Sequence, residues 1–160
     1  MQITVSSGVG EGPTPVAAFD AALLNAGVAN YNLIYLSSVI PPDSVIRRAR
    51  FHSAPDEYGH RLYVVIARHD QMLAGHSAWA GVGWTQEEKG GRGLFVELHG
   101  DNRADVEADI QASLEFMKSK RSTTITYGKI ESEITGVECR GMSVCALVVA
   151  VYRSQGWREP

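Results

Sequence analysis

Val144–Tyr152 (VCALVVAVY) is apolar without a break, and a stretch of that kind admits few structures. It is half the length of a membrane-spanning helix, which needs ~20 residues. Its continuous apolarity fits a strand covered on both faces, so Ser143–Tyr152 reads as the centre of a sheet. Other segments supply the neighbours. Gln2–Ser6 alternates with β-branched residues on one face, Tyr31–Leu36 alternates again, and Arg61–Arg68 (RLYVVIAR) is a further buried strand. Ser77–Trp84 and Gly93–Leu98 form a hairpin closed by the charged, glycine-rich turn Thr85–Arg92, and Thr123–Ile134 adds another strand.

Two segments have helical period. Thr14 caps a helix over Pro15–Ala26, with Pro15 at the first position, Gly27 as the C-terminal cap and Val16, Phe19 and Leu23 on one face. The other runs from Asn102 to Lys120, with Val106, Ile110, Leu114 and Met117 at helical spacing. Its charges follow the macrodipole: Asp101, Asp105 and Glu107 crowd the start, and Lys118, Lys120 and Arg121 the end. Six to eight strands with two helices, no βαβαβ alternation and no internal repeat predict an α+β fold. The economical arrangement is a four-layer αββα sandwich of mostly antiparallel sheets with the helices outside. No linker divides the chain, so residues 1–160 are expected to form a single domain.

Composition narrows the function classes. With 160 residues, 44% hydrophobic and 21% charged, the chain is an ordinary globular protein. Its 15 Lys+Arg against 18 Asp+Glu leave a net charge of −3, too little for a nucleic-acid footprint. Cys139 and Cys145 are too few for a disulfide framework and lack metal-ligand spacing, and no signal peptide precedes them, so a cytoplasmic location is expected, with no membrane partner. The charge is uneven. Met1 through Ser37 contains no Lys or Arg, and only Glu11 and Asp20 as acids.

Most chemical motifs fail on inspection. Gly8-x-Gly10-x-Gly12 lies between a strand and a helix, but Pro13 stands where a dinucleotide fingerprint has its last glycine, so the run reads as a flexible loop. Gly75-His76-Ser77-Ala78-Trp79 ends in Trp where a nucleophile elbow has Gly. The histidines His52, His60, His69, His76 and His99 have no metal-ligand pairing, and surface or strand-end positions suit them. Gly91-Arg92-Gly93 has too little positive charge to cradle a phosphate, and Glu87-Glu88-Lys89 is a solvated hairpin tip.

One segment stands out: Tyr31-Asn32-Leu33-Ile34-Tyr35-Leu36-Ser37-Ser38-Val39-Ile40-Pro41-Pro42. Preceded by Phe19-Asp20-Ala21-Ala22-Leu23-Leu24-Asn25-Ala26-Gly27, it closely resembles the pyruvoyl-dependent arginine decarboxylase family, whose "FD-x-ALL-x-AG" and "NLI-x-x-SS-[VI]-IPP" patterns are present in order and spacing. The strong match covers Val5 to Pro42. The resemblance implies a proenzyme that cuts itself between Ser37 and Ser38 into residues 1–37 and 38–160. The Ser38 hydroxyl would attack the Ser37 carbonyl, and β-elimination from the ester would leave Ser37 as a carboxylate and residue 38 as dehydroalanine, then pyruvoyl. Such chemistry demands a β-hydroxyl at 38, a strained backbone and an oxyanion donor. Asn32 is the candidate donor, its alternative role being a hydrogen bond at a strand edge.

The resemblance further implies a covalent pyruvoyl cofactor from Ser38, with neither metal nor pyridoxal phosphate. It takes up the α-amine of L-arginine, and its adjoining carbonyl accepts the electrons left as CO2 departs, giving agmatine. An acid must then return a proton to the α-carbon. The family's glutamate after the Gly-rich hairpin corresponds to Glu97, in Gly93-Leu94-Phe95-Val96-Glu97-Leu98-His99-Gly100, where apolar neighbours would raise its pKa. A solvent-facing Glu97 is the alternative, and Glu131 and Glu133 are further contenders. Asp20 matches the family's substrate-binding aspartate and suits a guanidinium, the plain alternative being an exposed helix aspartate. The family implies a homotrimer or hexamer of two-chain protomers with shared sites, and Tyr35 and Gln155-Gly156-Trp157 are candidate interface residues. Two other functions stay open: the same scaffold acting on another amino acid, and a non-processing homologue serving as an oligomeric binding partner.

Overall fold

The computed structural model describes residues 1–121 and 123–158. Among these, nine strands and two α-helices follow in the order β1 (Gln2–Gly12), α1 (Pro15–Ala26), β2 (Asn32–Tyr35), β3 (Val39–Ile40), β4 (Val45–Arg48), β5 (Arg61–Gln71), β6 (Ser77–Glu87), β7 (Gly93–Gly100), α2 (Arg103–Ser119), β8 (Tyr127–Glu138) and β9 (Ser143–Gln155). One sheet has the order β2-β5-β9-β1-β4 and the other β3-β7-β6-β8. The pairing is antiparallel except for β1 with β4 and β2 with β5. The apolar run of β9 occupies the centre of the five-stranded sheet. Its alternate residues serve two cores. Ala146, Val148 and Ala150 pack between the sheets with Val65, Val82 and Phe95. Cys145, Leu147 and Val149 pack under α1 with Ala18, Ala22 and Leu62. A further core joins Val106, Ile110 and Leu114 of α2 to the outer face of the second sheet. The layers are therefore α1, sheet, sheet, α2, the αββα sandwich expected.

The helix signals act as read. Thr14 Oγ1 accepts from Ala17 N–H (3.2 Å), Gly27 closes α1 in the left-handed region (φ 87°), and Asn102 Oδ1 caps α2 through Asp105 N–H (2.9 Å). The glycine run does not form a flexible loop. β1 continues through Gly12, and the glycines are there because α1 lies almost on the strand. A Cβ at Gly8 would stand 2.2 Å from the Ala22 carbonyl oxygen, and one at Gly10 2.3 Å from Ala18 O and Ala22 N. This approach also corrects the helix face. Leu23 is buried and Phe19 partly buried as read, but Val16 is 74% exposed, and Ala18, Ala22 and Ala26 line the contact with β1, because backbones this close admit only small side chains between them. Gly10→Ala is therefore expected to lower Tm by about 5 °C or more, through overpacking of a rigid contact, measurable by calorimetry.

Other differences are of extent. β5, β6, β7 and β9 run further than read, and β8 begins at Tyr127 in place of Thr123. The short strands β3 and β4, on either side of Pro41-Pro42, escape sequence patterns because their partners lie far along the chain. Cys139 and Cys145 are free and buried. His69 and His99 stand at strand ends, stacked at 5.0 Å, with His69 Nε2 3.1 Å from Asp101 Oδ1. Among the described residues no helix is long and apolar enough to cross a membrane, and no cluster of three or more metal-ligating side chains forms.

Candidate active site

Ser37-Ser38 is where the chain leaves one sheet for the other. β2 is an edge of the first sheet, and its ladder continues to Leu36, whose N–H donates to Val64 O (2.9 Å). β3 is an edge of the second sheet, and its ladder begins at Ser38, whose carbonyl accepts from Phe95 N–H (2.9 Å). The bond between the serines thus sits between two residues anchored to different layers. Ser38 absorbs the change of direction with φ +35°, a left-handed backbone that a non-glycine residue adopts only under constraint. Ser37 is exposed, and Ser38 is half-buried.

Register brings Glu97 to this point. Val39 pairs with Leu94 and Ile40 with Gly93, so Glu97 lies beyond Phe95 on the strand beside Ser38. It shares Phe95's face, towards the other sheet, while Leu94, Val96 and Leu98 turn to α2. Ser38 Oγ donates to Glu97 Oε1 at 2.5 Å. Burial pushes the Glu97 carboxyl above the ordinary carboxylate range, and the Ser38 hydroxyl pulls it part of the way back. Among the described residues no cation offsets the burial. A hydroxyl and a carboxyl with raised pKa, in contact at a strained peptide, can exchange a proton and carry out acyl transfer at that peptide.

The remaining expected residues are not gathered here within one chain. Asn32 lies six residues back along β2, ~20 Å of extended backbone; its Nδ2 donates to Gly59 O (2.7 Å) and its backbone N–H to His60 O (2.8 Å). Asp20 is exposed on α1, outside the hydrogen bonds that hold Ser38. Glu131 and Glu133 belong to β8, at the opposite edge of the second sheet. Glu131 pairs with Lys129 (2.7 Å), which holds its carboxyl below the usual range, and Glu133 accepts from Ser7 Oγ (3.1 Å). Tyr35 is 63% exposed beside the Ser37-Ser38 segment, and Trp157 Nε1 donates to Gly59 O (2.9 Å). One residue of this neighbourhood escapes sequence reasoning: Tyr152, whose OH donates to Val39 O at 2.9 Å. It is hidden inside the apolar run, where it looks like one more core side chain.

The family model described as pyruvoyl-dependent arginine decarboxylase matches residues 2–156. A protein of that name from Halobacterium salinarum is 36% identical, the alignment covering 94% of this chain and 93% of the relative. One from Methanothermobacter thermautotrophicus is 32% identical over 92% of this chain and 95% of its own. A third, from Methanocaldococcus jannaschii, is 52% identical over 28% of this chain and 27% of its own. With the match extending through both sheets and both helices, and not only across the serine pair, the chain belongs to the pyruvoyl-dependent arginine decarboxylase family.

Proposed function

We propose that the protein is a self-processing decarboxylase that converts L-arginine to agmatine and CO2 with a pyruvoyl group made from its own Ser38. The observation that carries this reading is the Ser38 hydroxyl, 2.5 Å from a carboxyl with raised pKa and on a left-handed residue between two anchored strands. In the cleavage, Ser38 Oγ attacks the Ser37 carbonyl carbon while its proton passes to Glu97, which must be ionised to accept it. The Ser37–Ser38 amide bond breaks as the ester forms, and the freed nitrogen gains a proton. Loss of the residue 38 α-proton then expels the Ser37 carboxylate, and water replaces the nitrogen, released as ammonia. β1 lies between β9 and β4, so residues 1–37 stay in the sheet after the cut.

The residues present suit the group that results. A pyruvoyl group supplies an electron sink for the bond to CO2. Phe95 N–H already addresses the carbonyl of residue 38, where negative charge gathers, and Glu97 stands beside it as the acid that protonates the substrate α-carbon. Asp20 binds the guanidinium, and Asn32 is the oxyanion donor. Neither belongs to the hydrogen bonds around Ser38 in its own chain, which suits a site shared between neighbouring subunits of a homotrimer or hexamer. The enzyme works in the cytoplasm without metal or pyridoxal phosphate.

Intact-mass analysis of the purified protein tests the reading. Fragments ending at Ser37 and beginning with a blocked residue 38 are expected, with CO2 released from L-arginine in preference to other amino acids. Uncleaved chain alone would overturn it. Asp20→Asn is expected to cleave normally while raising KM for L-arginine about ten- to hundredfold, the worth of a lost charge-assisted hydrogen bond. Failure to cleave would make Asp20 structural.

A further inference from the structure

We propose that Tyr152 is a positioning residue for the cleavage segment: its phenol pins the Val39 carbonyl and thereby holds Ser38 in its left-handed turn with Oγ against Glu97. The inference rests on the function proposed above and extends it to a residue of the facing sheet.

The first observation is a bulge. Along the β5–β9 ladder Tyr63 pairs with Arg153 and Val64 with Val151, so Tyr152 has no partner across β5 and its strand is locally re-aimed. Such an extra residue weakens a ladder, yet this one sits in the central strand of the sheet, where regular pairing would otherwise be best. The second is where the ring goes. It is buried between the sheets, edge-on to Phe95 with centroids 6.1 Å apart, and its hydroxyl crosses to the other sheet to meet Val39 O at 2.9 Å. Val39 is the residue that follows the cleavage serine.

The third is how little else holds β3. That strand has two residues, and Val39 itself is 61% exposed. A short edge strand frays easily, and relaxation of Ser38 towards an ordinary backbone conformation would carry Oγ away from Glu97. The Tyr152 bond ties the far side of the Val39 peptide to the most deeply buried strand of the molecule. Burial and the nearby Glu97 charge both push the phenol pKa up, so it remains protonated and can only serve as a donor to that carbonyl.

Tyr152→Phe removes the hydroxyl and keeps the ring. Tyr63→Phe is the matched control: Tyr63 also packs against the inter-sheet core, and its OH donates to Gln155 Oε1 (2.9 Å), away from Val39. Wild type and both variants would be made by cell-free synthesis and followed by intact mass, with hydroxylamine added to parallel samples to trap the Ser37 ester as its hydroxamate. Tyr152→Phe is expected to cleave about tenfold more slowly and to yield correspondingly less hydroxamate, with Tyr63→Phe close to wild type. Equal rates for all three proteins, or equal slowing in both variants, would overturn the positioning role. Absence of cleavage in wild type would overturn the function proposed above, and this inference with it.

Discussion

Ser38→Ala is expected to remain one polypeptide of 17.4 kDa with no decarboxylase activity at any substrate concentration. The reason is chemical and local. Alanine has no Oγ to attack the Ser37 carbonyl and no leaving group for elimination, so neither the cut nor the carbonyl group can arise. The same change deprives Glu97 of its hydroxyl donor, the influence that partly offsets its burial, so the carboxyl moves still further up. Ser38→Thr separates hydroxyl from backbone. Threonine retains the nucleophile, but a β-branched residue at φ +35° is strained, so slow cleavage is expected. Wild-type cleavage rates in Ser38→Thr would show that the left-handed turn is irrelevant, and fragments from Ser38→Ala would place the cut elsewhere. Both outcomes are read by denaturing intact mass.

Glu97→Gln has the next largest expected effect, because in the proposed function one carboxyl serves two steps in opposite protonation states. Cleavage needs Glu97 ionised to take the Ser38 proton, so its rate rises with pH through the carboxyl's raised pKa. Turnover needs the acid form, so kcat falls as pH rises through the pKa that Glu97 has after the cut. Losing the Ser38 hydroxyl removes the side-chain donor acting on Glu97, which moves the carboxyl towards the acid form for the second task. Glutamine accepts a hydrogen bond but neither takes nor gives a proton. Both rates are expected to fall about a hundredfold or more, the usual worth of general acid–base catalysis, and both pH limbs should vanish. Retained limbs would assign them to another group. Stability moves the other way. A carboxyl whose folded pKa lies above its unfolded value contributes stability at low pH that is lost as pH rises through the folded value, so Glu97→Gln should narrow the fall in Tm across that same rise in pH.

How far such residues can be read from the chain depends on what holds them. Thr14, Pro15 and Gly27 mark the ends of α1 because a cap acts within one turn, and the structure keeps those ends. The glycines of β1 mislead for the opposite reason. Gly8 and Gly10 look like punctuation, yet they answer to the α1 backbone, a contact that no local pattern records. Glu97 is legible as a carboxyl on an apolar strand, and its burial follows from sharing a face with Phe95. Asn32 shows the limit. Six residues before Ser38 looks close in sequence, but an extended strand carries that interval away from the serine pair.

The apolar stretch Val144–Tyr152 required a sheet covered on both faces, and two capped helices with alternating strands supplied the covering layers, because burial and backbone pairing act on every residue of those segments. The Ser37-Ser38 pair and its flanking motif likewise stand in the chain for anyone to read. Their surroundings do not. That Leu36 is bonded to one sheet and Ser38 to the other, that Glu97, 59 residues away, comes within 2.5 Å of Ser38, and that Tyr152 bulges towards Val39 all depend on strand register. Register is set by hydrogen bonds between segments distant in sequence, each satisfied only once the whole sandwich has closed.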